Sequence, residues 1–275
     1  MPELVSTVLD LRRALALLKP ARIAMVPTMG ALHDGHVSLV TEARKHAEHV
    51  VVSIFVNPTQ FSPHEDFDAY PRTLDADIAR LGDAATVIFT PTAREMYPEG
   101  HATTITVGGP AHGLETDFRP HFFTGVATVV AKLLLAASPD IAVFGEKDYQ
   151  QLLVVQRLAR DLALPTQILG APTLRESDGL AMSSRNAYLA PEERRIAGRL
   201  NVILKDVIAA ARQGDLRAAE GAGIDAFYKA GFDMIDYVAI RDAATLDHIT
   251  ALDRPARVLA AAKIGKTRLI DNLPI

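Results

Sequence analysis

The chain has 275 residues, of which 49% are apolar and 23% charged, with a net charge of −4 and no cysteine. Such a balance describes a globular protein with ample core and excludes disulfides, thiolate catalysis and cysteine-bound zinc. It also lacks the overall basic field that draws a protein to nucleic acid.

The first nineteen residues set Val8, Leu11, Leu15 and Leu18 on one face, with Glu3, Asp10, Arg12 and Arg13 among them. This pattern predicts an amphipathic helix and not a signal peptide. No window approaches the roughly 18 uncharged apolar residues of a membrane span. The absence of cysteine matches a reducing compartment, so a cytoplasmic protein is expected.

Short apolar runs then follow at 22–26, 50–56, 86–90, 141–144 and 166–169. The run at 50–56 is nearly continuous in apolar residues, as a parallel strand buried on both faces requires. Between the runs, apolar residues recur at helical spacing: Val37, Val40, Ala43 and Ala47; Leu74, Ile78 and Leu81; Val126, Val129, Val130, Leu133 and Leu134; Leu152, Val155, Ala159 and Leu162. Strand–helix alternation predicts an α/β fold with a doubly wound, Rossmann-like parallel sheet. After Arg175 the pattern changes. Pro191 opens a helical stretch to about Arg212, closed by Gly214, and a second helix covers 216–230. Strands are predicted at 235–241, 256–263 and 267–270. The expected organisation is a Rossmann-like domain over 1–175 and a smaller α+β domain with an antiparallel sheet over 176–275.

Four segments could carry chemistry. Pro27 to His36 places Gly30, Gly35, His33 and His36 where a strand gives way to a helix. A helix start offers unpaired N–H groups and partial positive charge, so phosphate binding explains the glycines and both imidazoles together. The competing readings are a surface turn and a metal site, and a metal site lacks a third clustered ligand. Gly145-Glu146-Lys147-Asp148 follows the fourth run. Its acidic residues suit a helix start, whereas Lys147 calls for an anion nearby. Ser183-Ser184-Arg185 reads either as polar linker or as a mobile loop that grips polyphosphate through the arginine. Asn57 and Gln60, at the end of the second run, and Gln151, one turn beyond Lys147, read as solvent-facing amides or as partners for hydroxyl and carboxylate oxygens of a small substrate.

PTMGALHDGH at 27–36, FVNPTQF at 55–61, ED-x-x-x-YPRTL at 65–74, FGEKDYQQL at 144–152 and DGLAMSSRNAYL at 178–189 occur in one order along the chain. Together they resemble the pantoate–β-alanine ligase family of the HIGH/KMSKS nucleotidyltransferases. The resemblance implies condensation of pantoate with β-alanine through pantoyl adenylate, releasing pyrophosphate and then AMP. ATP contacts would come from Met29, Gly30, Ala31, Leu32, His33, Asp34, Gly35 and His36, from Gly145, Glu146, Lys147 and Asp148, and from Leu174, Met182, Ser183, Ser184 and Arg185. His33, His36, Lys147, Ser183, Ser184 and Arg185 would be catalytic, with His36 the better candidate for proton donor. Gln60, Gln151 and Asn57 would hold pantoate and β-alanine. Mg²⁺ would bridge the phosphates, without a protein metal site, and a homodimer would form through the N-terminal domain. One departure is Arg119-Pro120-His121-Phe122-Phe123-Thr124-Gly125-Val126, where the family often has R-P-G-H-F-x-G-V. This loop is expected to close over the triphosphate, with no catalytic role carried onto His121 or Phe122. Two other readings are weaker. Transfer to a phosphomonoester would need further basic residues, and an RNA-associated module would need a basic appendage.

Overall fold

A computed structural model describes residues 1–62, 65 and 67–275. Asp66 of the Glu65-Asp66 motif lies outside the described residues. The chain starts with a strand, β1 (Glu3–Val5), ahead of helix α1 (Val8–Leu18), so the expected helix covers its apolar face from Val8 to Leu18, while the residues before it are not helical. Thr7 caps it by accepting the Asp10 N–H at 3.1 Å. This frees Glu3–Val5 to pair with a strand more than eighty residues away.

β2 (Ile23–Thr28), α2 (Asp34–Ala43), β3 (His49–Ile54), α3 (Leu74–Leu81), β4 (Val87–Phe89) and the short α4 (Ala93–Met96) follow in order. Next come the short α5 (Glu115–Phe118), α6 (Phe122–Ala137), β5 (Ile141–Gly145), α7 (Tyr149–Asp161) and β6 (Gln167–Ala171). Among the described residues, six strands form one sheet in the order β1-β4-β3-β2-β5-β6, every pairing parallel. Alternation within strands assigns the two faces. Ile23 and Met25 of β2 join Leu11, Val126 and Val155 on one side, while Ala24 and Val26 join Val40, Val52 and Leu81 on the other. The parallel sheet is thus covered on both faces, as expected.

The chain runs outward from β2 to one side and resumes at β5 on the other. The carboxyl ends of β2 and β5 therefore flank the crevice where such sheets bind ligands.

Beyond β6 the predicted single helix is two, α8 (Pro191–Ala197) and α9 (Arg199–Ala211), parted at Gly198. A Cβ at Gly198 would meet the Asp178 carboxylate at 2.5 Å, so the close approach of that carboxylate marks the break. α10 (Leu216–Ala230) follows, then β7 (Met234–Asp242), β8 (Ala256–Ile264) and β9 (Thr267–Pro274), an antiparallel sheet in the order β7-β8-β9. Leu200, Leu204 and Phe227 pack on Val238, Val258 and Ala260 to make its core. β9 runs four residues past the predicted end at Ile270, because Asp271 and Asn272, polar in sequence, are buried and bonded within it.

Candidate active site

β2 ends at Thr28, and α2 starts at Asp34 with His33 as its N-cap. The cap orders both imidazoles. The Gly35 N–H donates to Nδ1 of His33 at 3.1 Å, and the His33 N–H donates to Nδ1 of His36 at 3.2 Å. A backbone N–H can only donate, so each Nδ1 is an acceptor and each neutral ring carries its proton on Nε2. The rings lie 4.1 Å apart, centroid to centroid. Gly35 is required for this geometry, since a Cβ there would come within 2.8 Å of the His33 ring.

Burial, with the Lys147 and Arg80 charges adding to it against Asp34 and Glu176, lowers His33 to about 4. Burial first, then His33, Lys147 and Arg80, lowers His36 to about 3. Both rings are therefore neutral at pH 7 and act as Nε2–H donors rather than as acids. The unfolded chain, with histidines near 6.5, takes up protons that the fold refuses as pH falls. Stability should thus decline as pH falls from 6.5 toward 4, by up to about 1.4 kcal/mol per pH unit for each histidine. Urea unfolding at pH 7.0, 5.5 and 4.5 checks this: His36→Gln should lose about half of the wild-type decline, and an undiminished decline would contradict the assignment.

One cavity of about 1030 Å³ gathers most of the expected residues: Met29, His33, Gly35 and His36; Gly145, Lys147 and Asp148; Leu174, Met182, Ser183, Ser184 and Arg185; and Asn57, Gln60 and Gln151. Lys147 stands in a short turn at the end of β5, with its ammonium 3.8 Å from Asp148. The Ser183 hydroxyl accepts the Arg185 N–H at 3.3 Å, and the Ser184 hydroxyl donates to the Ala31 carbonyl at 3.1 Å. The downstream loop is thereby docked on the histidine turn.

Gly30, Ala31, Leu32, Asp34 and Glu146, also expected at ATP, are not among the residues that line the cavity. The Ala31 and Leu32 N–H groups donate to Asp77 at 3.0 and 2.8 Å, the Gly30 N–H points to the Thr28 hydroxyl, and Asp34 pairs with Arg80 at 2.7 Å. Glu146 turns away to Arg257 at 2.9 Å. Asp77, 3% exposed, is the residue that braces this turn, and its only sequence signal was its place in the helix 74–81.

Asn57 lines the cavity, yet its amide is already bonded within the protein. Its Nδ2 donates to Gln60 Oε1 at 3.1 Å and to the Gly125 carbonyl at 3.3 Å, while its Oδ1 accepts the Tyr97 hydroxyl at 2.7 Å. It holds Gln60 in place. Both neighbouring glutamines line the cavity, but the Gln150 side chain is buried and donates to the Pro110 and Gly113 carbonyls.

Most of the Arg119–Val126 segment is helical rather than a loop, and Arg119, Phe122, Phe123 and Val126 line the cavity. Phe122 opens α6, and Arg119 sits at the Gln60 end, pairing with Glu65 at 2.6 Å and stacking 3.8 Å from the Phe122 ring. Phenylalanine in the histidine place supplies that stacking face.

A doubly wound sheet whose reversal point gathers a two-histidine helix cap, a lysine turn and a serine–arginine loop defines an ATP-using enzyme of the nucleotidyltransferase kind. Comparison with known proteins narrows it. The pantoate–β-alanine ligase family model matches residues 3–274, and the chain belongs to that family. The pantothenate synthetase of Mesorhizobium japonicum is 58% identical over 100% of this chain and 98% of its own length. That of Rhodopseudomonas palustris strain HaA2 is 53% identical, covering 100% and 99%. Among solved structures, pantothenate synthetase from Thermus thermophilus is 47% identical with a TM-score of 0.92, covering 98% of both chains. Pantoate–β-alanine ligase from Francisella tularensis, complexed with beta-gamma ATP and β-alanine, is 34% identical with a TM-score of 0.84, covering 99% and 97%. The enzyme condenses pantoate with β-alanine at the expense of ATP, through pantoyl adenylate, to give pantothenate, AMP and pyrophosphate. Among the described residues no helix is long and apolar enough to cross a membrane.

Proposed function

We propose that the cavity divides the labour of this ligase between a cationic, donor-rich wall for ATP and an amide pocket for pantoate. The observation that carries the reading is the double cap of α2, which fixes both Nε2–H groups as donors beside Lys147 in the same cavity. Carboxylates do not react with amines at neutral pH, so a leaving group is needed, and AMP provides it. In the first step the pantoate carboxylate, held by Gln60 and Gln151, attacks the α-phosphorus. Lys147 neutralises the α-phosphate, while His33 and His36 donate to phosphate oxygens as negative charge builds. Ser183, Ser184 and Arg185 take the departing pyrophosphate, and Gly145, Asp148, Leu174 and Met182 frame the nucleoside. In the second step the β-alanine amine displaces AMP. Among the described residues no side chain is arranged as a strong base, so positioning and charge stabilisation dominate over proton transfer.

Mg²⁺ enters in this reading as MgATP, held by phosphate oxygens and water. Among the described residues no three His, Asp or Glu side chains are grouped to hold a metal, and magnesium favours phosphate and water ligands. We place the division between the sheet domain and its lid at residue 175, assign the protein to the cytoplasm and expect a homodimer through the N-terminal domain. The expected result is ATP–pyrophosphate exchange that needs pantoate and proceeds without β-alanine. Exchange indifferent to pantoate would refute the order of steps.

A further inference from the structure

The small antiparallel sheet supplies part of the cavity wall, Asp271 and Asn272 of β9 included. Asn272 of β9, 4% exposed, donates both hydrogens of its amide to consecutive carbonyls of the lysine turn, Glu146 at 2.9 Å and Lys147 at 2.8 Å. Two bonds from one planar amide fix the orientation of the peptide between them, and hence the direction in which the Lys147 side chain leaves the backbone. A second clamp comes from β8. Arg257 pairs with Glu146 at 2.9 Å and lies 3.7 Å from the centroid of the Tyr149 ring, so the turn is held on both flanks.

The residue before Asn272 grips the other phosphate-facing segment. Asp271, its side chain fully buried, accepts two bonds from Arg175 at 2.7 and 2.9 Å. Arg175 bridges to Ala181 across the base of the loop that carries Ser183–Arg185 and donates to the Gly179 carbonyl within it at 3.0 Å. One dipeptide of the second sheet thus touches both the lysine turn and the root of the serine–arginine loop.

We propose that Asn272 is a positioning residue for Lys147, and that Asp271–Asn272 sets the separation between the lysine turn and the serine–arginine loop. The inference rests on the reading that Lys147 meets the α-phosphate. A lid that merely covered ATP would need no bonds to the peptide behind the lysine. These bonds make the small sheet part of the adenylation centre, because a misplacement of about 1 Å in such a site can cost on the order of 100-fold in rate.

The test is a rapid-quench burst of pyrophosphate from MgATP and pantoate. Its amplitude counts competent folded sites and its rate constant reports adenylation at each. Asn272→Asp, which sets a carboxylate oxygen against two carbonyls, and Asn272→Ala, which removes the donors without adding charge, should both keep most of the amplitude. Each should lose about 10- to 100-fold in rate constant, and KM for pantoate should stay within about twofold of wild type. Adding either substitution to Lys147→Ala should cost little more, since residues acting through one group are not additive. A reduced amplitude with an unchanged rate constant would make Asn272 merely structural and overturn the proposal, as would a full additive loss in the double variant. Lys147→Ala with a near-wild-type rate constant would instead remove the reading of Lys147, and the proposal with it.

Discussion

His36→Ala is expected to lower pantoate-dependent ATP–pyrophosphate exchange by about 100- to 1000-fold, the usual loss when one preorganised donor is taken from a developing negative charge. His36 is half-buried and held neutral, its pKa lowered to about 3 chiefly by desolvation, so alanine removes a fixed Nε2–H dipole and not a cation. Two consequences separate this role from acid catalysis. Between pH 6 and 8 the wild-type exchange rate should show no step traceable to these imidazoles, because neither His33 nor His36 titrates there. His36→Gln, whose amide also carries N–H donors, should recover part of the activity where alanine does not. The substitution also strips the His33 N–H of its acceptor, at a cost of about 1 kcal/mol of stability. That is too little to unfold the chain, so circular dichroism should be unchanged. An exchange rate within a fewfold of wild type would exclude His36 from the first step.

Gly125→Ala should be nearly as damaging, although Gly125 makes no contact with a reacting atom in the proposed mechanism. Gly125 lies in α6, where alanine would ordinarily favour the helix by about 1 kcal/mol. Here the added methyl would run into the Thr59 carbonyl, and it would stand 2.8 Å from the Gln60 Cα. Those atoms are backbone and cannot swing aside. The turn Pro58–Gln60 must therefore move away from the helix, breaking the bond from Asn57 to the Gly125 carbonyl. Overpacking of this kind costs about 1–3 kcal/mol, which outweighs the helical gain. Gln60 moves with the turn, so KM for pantoate should rise about 10- to 100-fold, while KM for ATP changes little. The steady-state split between the two substrates checks the claim. Equal changes in both, or none, would mean that Gln60 does not depend on this close approach.

The parallel sheet was legible because its signals are local. Val50, Val51 and Val52 point to opposite faces of one strand, and a run apolar on both faces already calls for cover on both sides. The Pro27–His36 turn was legible for the same reason: its glycines, its imidazoles and the helix start lie within ten residues, and the cap that orients the rings closes among three neighbours. Position in the chain was a poorer guide to side-chain direction. Glu146 sits beside Lys147 and looked like part of the same site, but it faces Arg257 from a strand more than a hundred residues later. Ala31 and Leu32 were expected in the ATP cradle by resemblance, and the structure adds that Asp77 engages their N–H groups. Asp271 and Asn272 looked like the end of a strand, since a carboxylate and an amide are costly to bury without partners.

By itself, then, the sequence determined the strand–helix alternation, the placement of two histidines at a helix start and the polar groups proposed to meet ATP and pantoate. Each depends on periodicity or on bonds between near neighbours. Only the tertiary structure decided which of those groups face the cavity and what braces them. The bracing partners, Asp77 for the histidine turn, Gly125 for Gln60 and Asn272 for Lys147, are dozens to more than a hundred residues away from what they hold. A polar group becomes buried and bonded only when such a partner arrives, and no local pattern records that arrival.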